Sequence, residues 1–186
     1  SMMGVKDEGA EVWVSLADNP KRKLKYTWEL IRVGENLVGI NTSLPNKIAQ
    51  ESIENGVVEE LQGYGTLRRE LKYGKNSRID IFLEDLAKPA CYVEVKNVTL
   101  RRDRLAEFPD AVTARGTKHL GELANQVAAG DRAVMYYLTQ REDCDTFTVA
   151  GDIDPVYAAA LEKAMAAGVE VICYGCKLTP EDIRVI

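Results

Sequence analysis

Ser77-Arg78-Ile79-Asp80-Ile81-Phe82-Leu83 and Cys91-Tyr92-Val93-Glu94-Val95-Lys96-Asn97 are two strand-like segments, each carrying charge inside an otherwise apolar run. A carboxylate in such a run is costly unless it is paired, hydrogen-bonded or bound to a cation. Side chains two apart on a strand share a face, so Glu94 and Lys96 stand side by side, and pairing of the two strands brings Asp80 to them. Two acids and an amine so placed point to magnesium or manganese, with Asp80 and Glu94 as ligands and the Val95 carbonyl as a third. Lys96 then stabilises the charge that develops on phosphorus, and the implied reaction is phosphodiester hydrolysis. Without context, Glu94 and Lys96 read equally well as a surface ion pair, and Glu70-Leu71-Lys72 repeats the spacing. Asp80 decides between these readings, because its neighbours Ile79, Ile81, Phe82 and Leu83 leave little room for a solvated face.

At 186 residues, with 46% apolar and 28% charged side chains, the chain has the composition of a globular protein with one substantial core and a smaller attached unit. No apolar run reaches the length of a bilayer and no export signal is apparent, so the expected location is the cytoplasm. Cys91, Cys144, Cys173 and Cys176 beside a single histidine do not form a disulfide framework and read as reduced thiols. Net charge is −5, which opposes indiscriminate binding to polyanions, but it is unevenly spread. Residues 61–118 carry 12 Lys+Arg against 8 Asp+Glu, whereas residues 119–186 carry 5 against 11. The stretch holding the candidate centre is therefore the one suited to a phosphate backbone.

Outward from the motif strands, residues 11–15, 26–33 and 37–41 read as short strands, with a turn at Gly34-Glu35-Asn36 and the basic loop Asn19-Pro20-Lys21-Arg22-Lys23 between the first two. Residues 1–42 thus form a small β module, and three strands alone do not close a barrel. Ser43 as cap and Pro45 in the first turn open a helix that Asn55-Gly56 closes. Strands follow at 66–73, 78–83 and 92–98, joined by Gly74-Lys75-Asn76 and by a loop containing Pro89. A long helix spans about 113–129, a strand 133–138, a helix begins at Pro155 and ends at Gly168, and 169–174 is the last strand. This order predicts an α+β or α/β fold, a mixed sheet flanked by helices over residues 43–186.

The segments Asp18 to Lys23, Tyr26 to Leu30, Asn41 to Asn46, Lys72-Tyr73-Gly74, Ser77 to Asp80, Tyr92 to Thr99, and Phe108 to Thr113 with Arg115-Gly116 and Lys118-His119-Leu120 closely resemble the sugar fermentation stimulation protein A (SfsA) family over nearly the whole chain. The resemblance implies an N-terminal OB-like barrel, incomplete here because family members begin before Ser1, joined to a domain of the PD-(D/E)XK nuclease superfamily. It further implies DNA binding and a role in regulating maltose metabolism. The superfamily motif falls on Asp80, Glu94 and Lys96, the residues chosen on physical grounds, and a further acid on the first helix makes Glu51 or Glu54 a candidate, with Glu70 competing.

Arg115, Lys118 and His119 lie at the start of the long helix, where backbone amides favour phosphate. Arg101, Arg102 and Arg104 lie in the expected loop after the motif strand and form an arm toward a backbone; both groups read alternatively as solvated charge. Trp13 and Trp28 read as core, with base stacking the lesser alternative. Three functions remain open: a metal-dependent DNA nuclease, a DNA-binding regulator that keeps the fold without cleaving, and an RNA-processing nuclease.

Overall fold

The computed structural model describes residues 2–19, 21–74 and 77–186. Pro20 of the basic loop, and Lys75 and Asn76 of the expected turn after Gly74, lie outside the described residues.

A six-stranded sheet organises the larger unit. β4 (Thr66–Tyr73), β5 (Ser77–Asp85) and β6 (Lys88–Val98) form the antiparallel meander expected from the sequence. From β6 the chain crosses over through α2 (Ala114–Ala128) to β9 (Arg132–Thr139), and from β9 through α3 (Pro155–Ala166) to β11 (Glu170–Leu178), each a parallel step that requires a long connection. β12 (Ile183–Val185), which follows the strand expected to be the last, pairs antiparallel with β11 and completes the order β12-β11-β9-β6-β5-β4. β9 is central and buried along seven of its eight residues, as its Ala133-Val134-Met135-Tyr136-Tyr137-Leu138 run demands.

Two apolar layers enclose this sheet. On one side α1 (Pro45–Glu54) sets Ile48, Ala49 and Ile53 against Ile81, Val93, Val95 and Val134. On the other, Leu120 and Leu123 of α2 and Leu161 of α3 cover Ile79, Phe82, Met135 and Tyr137. The hydroxyls of the two buried central tyrosines are satisfied across these layers, Tyr136 by Ser52 at 3.3 Å and Tyr137 by Tyr157 at 2.5 Å.

The N-terminal module is a three-stranded antiparallel sheet, β1 (Val12–Leu16), β2 (Tyr26–Val33) and β3 (Asn36–Gly39). It docks through backbone: Gly39 N–H donates to the Gln140 carbonyl at 2.9 Å. A Cβ at position 39 would lie 2.5 Å from Gln140 Oε1 and 3.0 Å from its Cβ, so a larger residue there would displace the Gln140 side chain. Leu30 and Leu37 pass into the main core. Trp13 packs against that core with Arg32 over its ring at 5.0 Å, whereas Trp28 is 39% exposed and bonds the Leu30 carbonyl, so the core reading suits the first better than the second.

Three local expectations are corrected. The residue capping α1 is Leu44 rather than Ser43, and the Ser43 hydroxyl instead donates to Asn41 Oδ1 at 2.7 Å. Pro89 stands within β6, at an irregularity in its pairing with β5 and before its ladder with β9 begins at Cys91, where no amide is needed. The segment after the motif strand is a hairpin, β7 (Leu100–Arg102) and β8 (Leu105–Phe108), joined in a small sheet by β10 (Thr146–Val149), and Asp103 turns it with φ +55°. Cys173 and Cys176 both lie on β11, one exposed and one buried, and all four cysteines are free thiols.

The two helices over the second layer start together. Asp154 caps α3 by accepting from Tyr157 N–H at 2.9 Å, and its other oxygen accepts from the N–H of Thr113, the cap of α2, at 2.8 Å. These two amides hold the Asp154 carboxyl below the usual carboxylate range. Asp154→Ala is expected to lower unfolding free energy by about 1–2 kcal/mol at neutral pH. Because the folded-state pKa is depressed, that contribution is full above the unfolded value of about 3.9 and is lost as pH falls through the folded one. Urea unfolding at pH 7 and pH 3 should show the gap between wild type and variant closing at the lower pH.

Candidate cation centre

Asp80 and Glu94 converge because the β5–β6 ladder ends at the Ile81–Val93 pair, where Asp80 is the residue before Ile81 and Glu94 the residue after Val93. Asp80 Oδ2 accepts from the Val95 amide at 2.8 Å and Oδ1 from Asn46 Nδ2 at 2.8 Å. The Val95 peptide therefore lies against Asp80. Burial, and next the nearby Glu94 charge, push the Asp80 pKa up to about 6, against the opposing pull of the Val95 amide, Lys96 and Asn46.

Glu94 is 2% exposed. Its Oε1 accepts from Lys96 Nζ at 2.6 Å and meets His119 Nδ1, while its Oε2 has no hydrogen-bond partner among the described residues. Burial alone would raise its pKa, but His119 and Lys96 outweigh that and hold it below the ordinary value. The site thus contains a buried carboxylate kept charged, with one oxygen free, beside a second carboxylate that is reluctant to ionise alone. Among the described residues no cluster of three or more His, Cys, Asp or Glu side chains is arranged to hold a metal ion. The donor set is instead two acids and a peptide group, which suits magnesium or manganese, ions that use few carboxylates and complete their shell with water and substrate oxygens.

His119 departs from its expected role. It is 4% exposed and turned inward to Glu94, so it supports the acid rather than reaching a strand. Arg115 Nε donates to His119 Nε2 at 3.4 Å, and since a guanidinium only donates, the ring proton sits on Nδ1, facing the carboxylate. Arg115 itself is exposed at the start of α2, and Lys118 donates to Ser77 Oγ at 3.0 Å.

Of the three further acids, Glu51 pairs with Lys47 at 3.6 Å and Glu54 accepts from Gln50 at 2.8 Å, both on the exposed face of α1. Glu70 stands nearer the centre, its Oε1 3.5 Å from Asn46 Nδ2. It has φ +55°, where β4 and β5 skip from the Arg69–Ile81 pair to Leu71–Ile79, a strained backbone placed beside Asp80. The first helix therefore contributes Asn46, not an acid. Sequence reasoning passed over Asn46 because an amide carries no charge to mark it; its one signal is its place after Pro45 in the first turn.

The arginine arm is already engaged. Arg101 bonds Asp143 at 2.7 Å, Arg102 is forked between Glu107 and Asp152, and Arg104 pairs with Asp145. A phosphate would have to displace these carboxylates.

A mixed sheet with α1 on one face and α2 and α3 on the other, carrying an acid pair and a lysine at the divergence of two strands and a small β module ahead of it, is an OB domain joined to a nuclease-like α+β domain. The description "SfsA N-terminal OB domain" matches residues 1–40, and "Sugar fermentation stimulation protein RE domain" matches residues 43–182. A sugar fermentation stimulation protein homolog of Paramagnetospirillum magneticum is 58% identical over 98% of this chain and 78% of its own length. One of Rhodospirillum centenum is 58% identical over 100% of this chain and 80% of its own. A structure of Pyrococcus furiosus SfsA in complex with Ca2+ superposes with a TM-score of 0.84 at 26% identity, covering 94% of this chain and 74% of that one. The chain belongs to the sugar fermentation stimulation protein (SfsA) family. Among the described residues no helix is long and apolar enough to cross a membrane.

His119→Phe removes the donor from a buried charge and is expected to cost about 2–4 kcal/mol in denaturant unfolding. His119→Asn, whose amide can donate from near the position of Nδ1, should recover at least half of that loss. Equal losses in the two variants would show that ring packing, rather than the bond to Glu94, is what matters.

Proposed function

We propose that this protein binds nucleic acid, DNA in the first place, and that Asp80, Glu94 and Lys96 are a divalent-cation-dependent centre for phosphodiester hydrolysis. The observation that carries this reading is Glu94: a carboxylate 2% exposed, charged, with one oxygen unpartnered and a second acid beside it. Such a group is expensive to keep unless a cation completes it. The calcium named with the Pyrococcus furiosus relative supports the same assignment.

Asp80, Glu94 and the Val95 carbonyl would hold magnesium or manganese, which when bound supplies Lewis acidity and a more acidic water. The chain's own groups do the remaining work. Asn46 and the Val95 amide fix both oxygens of Asp80. His119 orients Glu94, and Glu94 in turn holds the Lys96 ammonium at 2.6 Å, where its charge faces the phosphate that enters the centre. The basic excess of residues 61–118 draws a polyanion to this part of an otherwise acidic protein. The relatives are named for the stimulation of sugar fermentation, which supports a role for such an activity in the control of sugar use, and the maltose link follows from family resemblance. A member of the family that binds DNA without cutting would act there as a regulator.

Incubation with manganese or magnesium should convert DNA to shorter products. Asp80→Ala should abolish the products, and Lys96→Ala should slow their formation by about 10²–10³-fold, while both variants keep most of the binding. Binding without product from any DNA or RNA, in either cation, would assign the regulator instead. Products from RNA alone would assign RNA processing.

A further inference from the structure

His119 is the chain's single histidine, and its ring is held at both ends. Nδ1 faces Glu94, and Nε2 accepts from Arg115 Nε at 3.4 Å, one turn earlier on α2. The ring is buried, whereas Arg115 lies at the surface. Among the described residues this is the one hydrogen bond that the Arg115 guanidinium makes, and it goes to an imidazole rather than to a carboxylate. The turn that carries Arg115 is itself fixed. Thr113 accepts from Gly116 N–H at 3.1 Å, Asp154 accepts from the Thr113 amide, and a Cβ at Gly116 would lie 2.9 Å from the Thr113 side chain and 3.1 Å from Tyr157 of α3.

A guanidinium has donors and no acceptor, so against Arg115 the Nε2 atom of His119 can only accept. An imidazole that accepts at one nitrogen and donates from the other is polarised along that line, which strengthens the Nδ1–H bond to Glu94. A half-turn of the ring would break both contacts at once. Lys96 Nζ bonds the same Glu94 oxygen at 2.6 Å. Whatever fixes the ring therefore fixes Oε1, the ammonium held on it, and the direction in which the unpartnered Oε2 points.

We propose that Arg115 is a positioning residue of the cation centre: by holding the His119 ring it sets the orientation of Glu94, and with it the affinity of the centre for a divalent cation. This differs from the phosphate contact that the sequence suggested for Arg115. It rests on the cation-centre reading above. Groups that act on a metal through its ligands alter affinity by about 10–100-fold when removed.

Two substitutions separate these roles. Arg115→Gln places an amide nitrogen as many bonds from the backbone as Arg Nε, a donor without charge, and Arg115→Met has the same reach with no donor. In tag-free protein His119 gives the only imidazole signals in a long-range proton–nitrogen correlation spectrum. Without metal, the Nε2 resonance should move toward that of a ring lacking a donor in Arg115→Met and stay at its wild-type position in Arg115→Gln. Manganese titrations followed by electron paramagnetic resonance should show affinity lowered about tenfold in Arg115→Met and kept within about threefold in Arg115→Gln. The thermal midpoint should be unchanged in both, since Arg115 is exposed. An unmoved resonance in Arg115→Met, manganese affinity there within about twofold of wild type, or equal losses in the two variants would each overturn the proposal. A salt slope for DNA binding lowered by about one in both variants, with manganese affinity unchanged, would return Arg115 to a phosphate and overturn it too. If wild type takes up no manganese, the cation-centre reading falls, and the Nε2 resonance still decides by itself whether Arg115 holds the ring.

Discussion

A single carboxylate, Glu94, sets the terms for the region around it. It is buried in the second strand of the motif pair, it is charged, and it has Lys96 on its own strand and His119 from α2 as the groups that make this tolerable. An ion pair of this kind adds little net stability, because both partners give up water to form it. Removing either partner leaves a stranded charge. The start of α2 must therefore lie where His119 can reach, and the shared cap of α2 and α3 through Thr113 and Asp154 is the local device that puts it there.

The divergence of β5 and β6 creates the centre in the same economical way. The strands pair through Ile81 and Val93 and then separate, and the Val95 amide, released from the ladder with β5, bonds Asp80. Asn46 closes the other side from α1, so each layer of the domain contributes one neutral or basic group to one of the two acids. The strained φ of Glu70 lies beside this same divergence. At the β7–β8 hairpin, by contrast, Arg101, Arg102 and Arg104 each have a carboxylate.

Much of the fold was legible because its elements are written in short-range patterns. The alternating runs of β2, β4 and β5, the Pro and Gly limits of α1 and α3, and the continuous apolar run of β9 each correspond to a local physical rule. The errors were also local. Ser43 looked like a cap, but Asn41 takes its hydroxyl, and Pro89 looked like a loop because the free edge that tolerates it depends on where the β9 ladder begins. The hairpin of Leu100–Phe108 escaped because its strands are of three and four residues and owe their existence to pairing with β10, some forty residues away.

From residues alone one could know that Asp80, Glu94 and Lys96 are improbable in apolar strands and that this improbability needs a cation or a partner to explain it, since the cost of burying charge follows from composition and period. Only the three-dimensional fold could decide that His119 serves Glu94 rather than a substrate and that Asn46 rather than Glu51 or Glu54 is what the first helix offers. Each of those facts is a distance between groups remote in sequence or across a register, and hydrogen bonds and charge pairs act over a few ångströms of space, whatever the separation along the chain.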